Sequence, residues 1–208
     1  MTEAVTPLPP PPADLPGQEP AVTPADIRDG AAVALVVGVA GVLLGLLWVW
    51  LAPRVQYVSN GRAVFLKNTE GEARIGSDGT FFLLSLGLGV LSGLAVFLWR
   101  RRGGVALVAG LTLGACFAAL VGWRTGLWLG PGTDVRAAAE KAGEGVPFDA
   151  PLQLLAYGVL LGWPMAATLT HLGLTAVFGP RDPAPALPWE AAYPPPHLHT
   201  TDAKPPQA

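Results

Sequence analysis

The sequence predicts an all-α membrane protein: a four-helix transmembrane bundle with a small extracytoplasmic β-hairpin or meander in its first loop and disordered proline-rich tails. Of the 208 residues, 51% are hydrophobic, and the polar residues are crowded into tails and loops. An α-helix needs roughly 20 apolar residues to cross a hydrocarbon core of about 30 Å, and only helices or closed barrels satisfy their backbone groups there. Four apolar stretches reach that length, at residues 31–52, 80–99, 104–129 and 152–178.

The two ends of the chain differ from the 27–179 membrane domain because prolines recur in them. Residues 1–26 and 180–208 both contain proline runs, which fix the backbone φ angle and remove hydrogen-bond donors. We expect disordered tails with local polyproline II structure. They are interpreted either as solvated flanks or as ligands for an aromatic-lined groove on a cytoplasmic partner.

The first loop, residues 53–79, changes to a β-type pattern. Val55–Val58 and Ala63–Leu66 flank Asn60 and Gly61, and Asn-Gly between β-prone runs predicts a hairpin with a type I′ turn, in which both central residues have positive φ. Glu72–Ile75 is interpreted as a third strand of a meander. So small a sheet needs support from the helix ends or from a partner.

The remaining connections are a tight turn and a longer loop. Arg100–Gly104 is short enough to make the second and third spans an antiparallel hairpin. In the loop 130–151, Thr133 is expected to cap a short exposed helix over residues 134–142, with Gly143 as the left-handed residue after its end.

The third span carries a ladder of small residues at every fourth position. Small residues let helix backbones approach closely in a membrane. Each four-residue step exceeds one full helical turn by roughly 40°. Over its five steps the ladder therefore winds about 200° around the helix. We therefore expect the third helix to be central, with different neighbours for its two halves; homodimerisation is the alternative use of this ladder, which comprises Ala106, Gly110, Gly114, Ala118, Gly122 and Gly126.

Orientation follows from the densest basic block. Lysines and arginines are equally divided between the two sides of the membrane, but Arg100, Arg101 and Arg102 are consecutive in one turn. The positive-inside rule therefore places this turn and both termini in the cytoplasm, in a multi-pass protein of the plasma membrane. The hairpin loop then lies outside.

Two residues within the spans stand out as ionisable. Arg124 is flanked by Trp123 and Trp128, so its guanidinium is expected to reach the headgroups, or else to bind an anion or a lipid phosphate. His171 lies at the opposite depth and is expected to be buried and neutral, since a proton-carrying role would want an acid and the predicted spans contain none. Pro164 is expected to kink the fourth helix.

The loops predict no catalytic, cofactor or metal site. Their carboxylates, Asp78 among them, fall in turns and are expected to be solvated, and no nucleophile has a His and an acid at a suitable spacing. The chain also has no basic face for nucleic acid. These observations predict a protein that is not an enzyme.

A longer pattern resembles a known family. It includes Trp48–Arg54, Val58–Lys67, Ile75–Phe81, Arg100–Gly104 and Trp128–Pro131, together with Glu70–Glu72 and Trp123-Arg124. In these residues the chain resembles an uncharacterised actinobacterial family of integral membrane proteins, a domain of unknown function, over roughly residues 30 to 180. The resemblance implies four spans and a cell-envelope setting, with no activity, cofactor or site residue to carry over.

The leading functional hypothesis is a non-enzymatic scaffold or accessory protein of the cell envelope. Its first loop, 53–79, would present a surface to an envelope protein, because sequence specificity beyond apolarity concentrates there. The alternative is a small transporter or lipid-handling protein that uses Pro164, His171 and Arg124 along a path between helices.

Overall fold

The computed structural model describes residues 22–69, 72–101 and 104–179. The proline-rich tails lie outside these residues, except for 22–26. Within the described ranges the chain forms long helices, a short helix and a small sheet. In order these are α1 (Pro24–Leu51), β1 (Gln56–Ser59), β2 (Val64–Leu66), α2 (Ala73–Trp99), α3 (Val105–Leu129), α4 (Val135–Ala142), β3 (Phe148–Asp149), a 3-10 turn (Tyr157–Leu161) and α5 (Gly162–Phe178).

Four of these helices are long and apolar enough to cross a membrane, which confirms the predicted fold class. They are α1, α2, α3 and the segment Tyr157–Phe178, which joins the 3-10 turn to α5. Helix α1 begins at Pro24, so residues 24–26 are helical rather than part of the tail. The cause is a capping box, in which the Thr23 side chain accepts a hydrogen bond from the Asp26 amide and the Asp26 carboxylate accepts one from the Thr23 amide.

Helix α2 begins at Ala73, so the prediction of a third strand at Glu72–Ile75 is wrong. Starting the helix early gives it a continuous buried face, on which Ser77, Phe81, Ser85 and Gly89 recur every four residues. A strand of four residues would have buried much less.

The predicted hairpin is confirmed, but the third strand of its sheet comes from the other loop. The strand order is β2-β1-β3, and both pairings are antiparallel. Tyr57 in the central strand lies opposite Leu66 on one side and opposite Phe148 on the other. The residues 53–69 and 130–156, here called the loop domain, therefore fold as one unit.

The turn of the hairpin differs from the type I′ prediction. Four residues, Asn60 to Ala63, separate the strands, and among the described residues only glycines have positive φ, with Gly61 at 81°. The Asn60 side-chain oxygen instead accepts hydrogen bonds from the amides of Arg62 and Ala63, at 3.1 and 2.8 Å. An asparagine that bonds to the backbone ahead of it forms an Asx turn, which needs no left-handed conformation at Asn60.

The short helix α4 is confirmed, although its N-terminal cap is Asp134 rather than Thr133. The Asp134 carboxylate accepts a hydrogen bond from the Ala137 amide at 3.0 Å. Gly143 follows the helix with φ at 91°, as predicted.

The long helices pack mainly as two parallel pairs, α1 with α3 and α2 with α5. Along the first pair, Gly110 lies against Gly30 and Gly114 against Ala34, and near the far end Gly126 lies against Trp48. The ladder of α3 thus faces one neighbour, and the prediction that one partner cannot cover it is wrong. Small residues of α1 also recur at a four-residue spacing, and such stripes wind in the same sense on both helices, so two parallel helices stay in contact along them.

The fourth span begins later than predicted. Leu152–Ala156 has no regular secondary structure, with Leu152 and Leu154 buried in the core. Pro164 is the third residue of α5, which continues directly from the 3-10 turn. The fourth span is therefore Tyr157–Phe178 rather than 152–178, and the kink at Pro164 stays a prediction.

Candidate functional site at the sheet end of the bundle

The loop domain covers one end of the helices, here called the sheet end. The opposite end, with the turn after α2, is called the turn end. Gly145 donates its amide hydrogen to the carbonyl of Ser59 at 2.8 Å, and Ala150 donates to Val55 at the same distance. The rings of Tyr57 and Phe148 meet edge to face at 6.0 Å. Both loops are thereby fixed to the central strand.

Asp78 ties the loop domain to α2. Asp78 is 8% exposed, and its carboxylate accepts hydrogen bonds from the backbone amides of Leu155, at 3.2 Å, and Ala156, at 2.8 Å. These two amides belong to the irregular segment before the 3-10 turn and need an acceptor. Charge-assisted bonds of this kind are strong.

Asp78 corrects one prediction and bears on another. It was expected in a solvated turn, and it is buried. It also lies within α2, and Asp26 and Asp29 lie within α1, so the observed spans contain acids although the predicted stretches 31–52 and 80–99 do not. Asp78 remains far from His171, which lies towards the turn end.

Trp48 provides the second tie at the sheet end. Its indole N–H donates to the carbonyl of Ser77 at 3.0 Å, and its ring meets Phe81 edge to face at 5.2 Å. The side chain is fully buried, against Phe81 of α2 and Gly126 of α3. The sequence signal for this burial was the spacing of Trp48 from Gly41 and Gly45, which lie seven and three positions earlier on the same helix face. Trp50 and Trp128, by contrast, are exposed at this end.

A small cavity with a mixed polar and apolar lining lies beside these two contacts. It has a volume of about 20 Å³, and its polar lining comes from Arg54, Tyr57, Arg74, Ser77 and Gln153. One guanidinium nitrogen of Arg74 donates to the Tyr57 hydroxyl at 3.0 Å, and one of Arg54 donates to the Val49 carbonyl at the end of α1. The Ser77 hydroxyl is buried and has no hydrogen-bond partner. Sequence reasoning missed this cavity because its walls come from three separate parts of the chain.

The residues singled out within the spans do not lie together. Arg124 is exposed on α3 near the sheet end, and its guanidinium lies over the Trp123 ring at 4.9 Å. Trp123 in turn meets Tyr157 edge to face at 5.7 Å. His171 is buried on α5 towards the turn end, beside Phe97 at 6.3 Å between ring centroids.

The turn end carries an ion pair that the sequence did not reveal. The Asp29 carboxylate, on α1, binds the guanidinium of Arg100, which caps α2. The Arg101 guanidinium lies 5.9 Å from the centre of the Phe97 ring. Arg102 lies outside the described residues. Part of the predicted basic block is therefore neutralised by an acid on the neighbouring helix.

These features define a multi-pass integral membrane protein with four candidate membrane-spanning helices and a compact loop domain at one end. Within residues 22–69, 72–101 and 104–179, no three His, Cys, Asp or Glu side chains are grouped as metal ligands. No family model matches the chain, and no curated protein or solved structure is significantly similar to it. The resemblance to an actinobacterial family stays a prediction.

Proposed function

We propose that this protein is a non-enzymatic scaffold or accessory subunit of the cell envelope, and that its loop domain is the surface that recognises a partner protein. The observation that carries this proposal is the joint folding of two loops into one sheet that is tied to the helix ends. Two loops that served only as connections would not need the buried Asp78 carboxylate, which binds the amides of Leu155 and Ala156 and so holds the loop domain against α2.

The exposed side chains of the loop domain support a binding role. Phe65, on the edge strand β2, is 54% exposed, and Leu66 and Val146 are also exposed. Aromatic residues that are exposed on a rigid surface are typical of protein interfaces. Tyr57, in the central strand, is half-buried against Phe148 and Arg74 and serves the sheet itself.

The packing of the membrane helices supports the same proposal. The glycine faces of α1 and α3 are used against each other, and Gly89 and Gly93 of α2 are used against α5. The alternative of a transporter or lipid-handling protein requires a path that joins Arg124 to His171. Because these residues lie near opposite ends of the bundle, and His171 is closely packed, we favour the scaffold.

The proposal includes an orientation, with the loop domain outside the cytoplasmic membrane and both termini in the cytoplasm. The consecutive arginines at the turn end support it, since the positive-inside rule counts Lys and Arg rather than net charge, so that the Asp29–Arg100 pair does not cancel it.

One experiment tests the partner and the orientation separately. In a Cys116→Ala background, Phe65→Cys is labelled on intact cells with a membrane-impermeant maleimide that carries a photocrosslinker. If the orientation is correct, Phe65→Cys is labelled on intact cells. Arg28→Cys is then labelled only after the cells are permeabilised. Illumination is then expected to join the Phe65→Cys protein to one envelope protein.

The matched control is Glu140→Cys, which is exposed on α4 of the same loop domain. A partner that binds over β2 gives an adduct from position 65 and a weaker or absent one from position 140. Failure of Phe65→Cys to give any specific adduct, after efficient labelling, would overturn the proposed role. Efficient labelling of Arg28→Cys on intact cells would overturn the orientation alone.

A further inference from the structure

The cavity beside Ser77 has features of a binding site that the scaffold role does not use. Ser77 is 4% exposed, and its hydroxyl faces no hydrogen-bond partner among the described residues. A buried hydroxyl that leaves its hydrogen-bonding capacity unused costs free energy. The hydroxyl oxygen has almost no surface that a water-sized atom can touch, so an oxygen atom in the cavity removes this cost once the Ser77 side chain rotates towards it.

The charge around the cavity is positive. Arg54 and Arg74 both line it, and each uses one guanidinium nitrogen on a protein acceptor, Val49 and Tyr57 respectively. A guanidinium carries five N–H donors, so both arginines retain donors for a ligand. The carboxylate of Asp78, next to Ser77 in sequence, is engaged by the amides of Leu155 and Ala156. The unused donors therefore favour an anion.

The size of the cavity determines how an anion would bind. About 20 Å³ is room for one water-sized atom, and not for a whole oxyanion. A ligand would therefore place a single oxygen against Ser77 and keep its remaining oxygens at the mouth, beside the arginines. Arginine pairs well with the several oxygens of a phosphate.

The cavity also lies at the depth where phosphates are abundant. Arg54 follows the end of α1, and Arg74 is in the first turn of α2. Trp50 and Trp128, which are 80% and 90% exposed at the same end, mark the headgroup layer, since tryptophan prefers that layer.

We propose that Arg54, Arg74, Tyr57 and Ser77 form a phosphate-binding site at the membrane surface. The phosphate comes either from the headgroup of an anionic phospholipid or from free phosphate, and the same donors recognise both. The site is independent of the partner-binding role proposed above.

The test uses the full-length protein, extracted from membranes that contain phosphatidylglycerol and phosphatidylcholine, with bound lipid measured by native mass spectrometry. The natural protein is expected to retain phosphatidylglycerol in preference to phosphatidylcholine. The double variant Arg54→Gln/Arg74→Gln is expected to retain about tenfold less, which is the effect of losing roughly one charge-assisted hydrogen bond. The matched control is Arg62→Gln/Arg136→Gln, which removes two exposed arginines of the loop domain and is expected to retain lipid normally.

A second arm identifies the source of the phosphate. Inorganic phosphate is added to the delipidated protein in detergent, and its melting temperature is compared with that in chloride of the same ionic strength. A rise in the natural protein that is absent in the double variant would assign free phosphate as a ligand. Selective phosphatidylglycerol retention without this rise would assign the lipid headgroup.

Ser77→Ala keeps the test decisive if the double variant does not fold, because it removes only an unpartnered hydroxyl. It is expected to melt at or above the temperature of the natural protein without ligand, and to retain less phosphatidylglycerol or respond less to phosphate. Equal lipid retention and equal phosphate response in the natural protein and in Ser77→Ala would show that the cavity holds a water molecule only, and would overturn the proposal.

Discussion

At the scale of single residues, the chain shows why a residue's type predicts its environment only in part. Asp78 follows Gly76-Ser77 in a sequence typical of a turn, and turn carboxylates are usually solvated. The structure buries it because Leu155 and Ala156, far along the chain, present two amides that need an acceptor. A sequence pattern that extends over a few residues contains no information about such a distant donor.

The Asp78 contacts give a prediction about stability. The Asp78 Oδ2 atom accepts from both amides, and Oδ1 also accepts from the Leu155 amide. Asp78→Asn removes the negative charge from these bonds and puts an NH2 group in the place of one of the two oxygens. We expect the free energy of unfolding to fall by about 1.5–3 kcal/mol, the range for hydrogen bonds to charged groups. Equilibrium unfolding in mixed detergent and denaturant measures it.

Glu140→Gln is the control for this prediction. Its carboxylate is exposed and pairs with Arg136, one helical turn away at 3.3 Å. We expect a change of less than about 0.5 kcal/mol, since exposed ion pairs contribute little. Equal losses in the two variants would mean that the buried bonds of Asp78 do not stabilise the fold.

At the scale of elements, local sequence signals predicted which turns and helices form, but not which other elements they contact. The hairpin at Asn60-Gly61 and the helix before Gly143 were predictable because turn and cap residues act on their immediate neighbours. The third strand was not predictable, because Phe148-Asp149 is too short to show an alternating pattern. It also pairs with β1, which lies far from it in the sequence. The cavity beside Ser77 was not predictable for the same reason, since its walls come from residues 53–57, 74–77 and 150–155.

The small-residue ladder gives a prediction about helix packing. A Cβ atom at Gly114 would lie 2.7 Å from the Cα atom of Ala34, so the backbones of α1 and α3 would have to separate. We expect Gly114→Ala to lower the free energy of unfolding by about 1–3 kcal/mol, the usual cost of overpacking, and Gly114→Leu to disrupt the bundle. Unfolding in detergent measures both changes.

Gly87 offers a matched control in another apolar helix. A Cβ atom there would meet nothing within 4 Å. We therefore expect Gly87→Ala to leave stability unchanged or to raise it slightly, because alanine favours helix more than glycine does. If Gly114→Ala and Gly87→Ala behaved alike, close contact between α1 and α3 would not be what stabilises the pair.

At the scale of the whole molecule, the chain has two halves of similar layout. In each half a helix leads through the loop domain to a second helix, and the first helices end in similar sequences, Trp50-Leu51-Ala52-Pro53 and Trp128-Leu129-Gly130-Pro131. Hydropathy predicted the four spans because span length is set by the membrane. It did not predict that first helices pair with each other and second helices with each other, since all four spans carry small residues.

This pairing predicts that the protein reassembles from its halves. The most extensive helix contacts, α1 with α3 and α2 with α5, both join one half to the other, as does the sheet through β1 and β3. Membrane helices insert separately and then associate. We therefore expect fragments 1–102 and 103–208, co-expressed with a tag on one of them, to copurify in detergent.

Fragments that copurified only by sharing a micelle would tolerate any substitution, so the same glycines provide the control. Gly114→Leu in the second fragment should abolish copurification because it separates α3 from α1. Gly87→Leu in the first fragment should leave it intact because that position faces open space. Each fragment alone should accumulate poorly, because its glycine faces lack the helices that cover them. Stable accumulation of separate fragments that do not associate would instead mean that each half folds on its own, contrary to the pairing of α1 with α3 and α2 with α5.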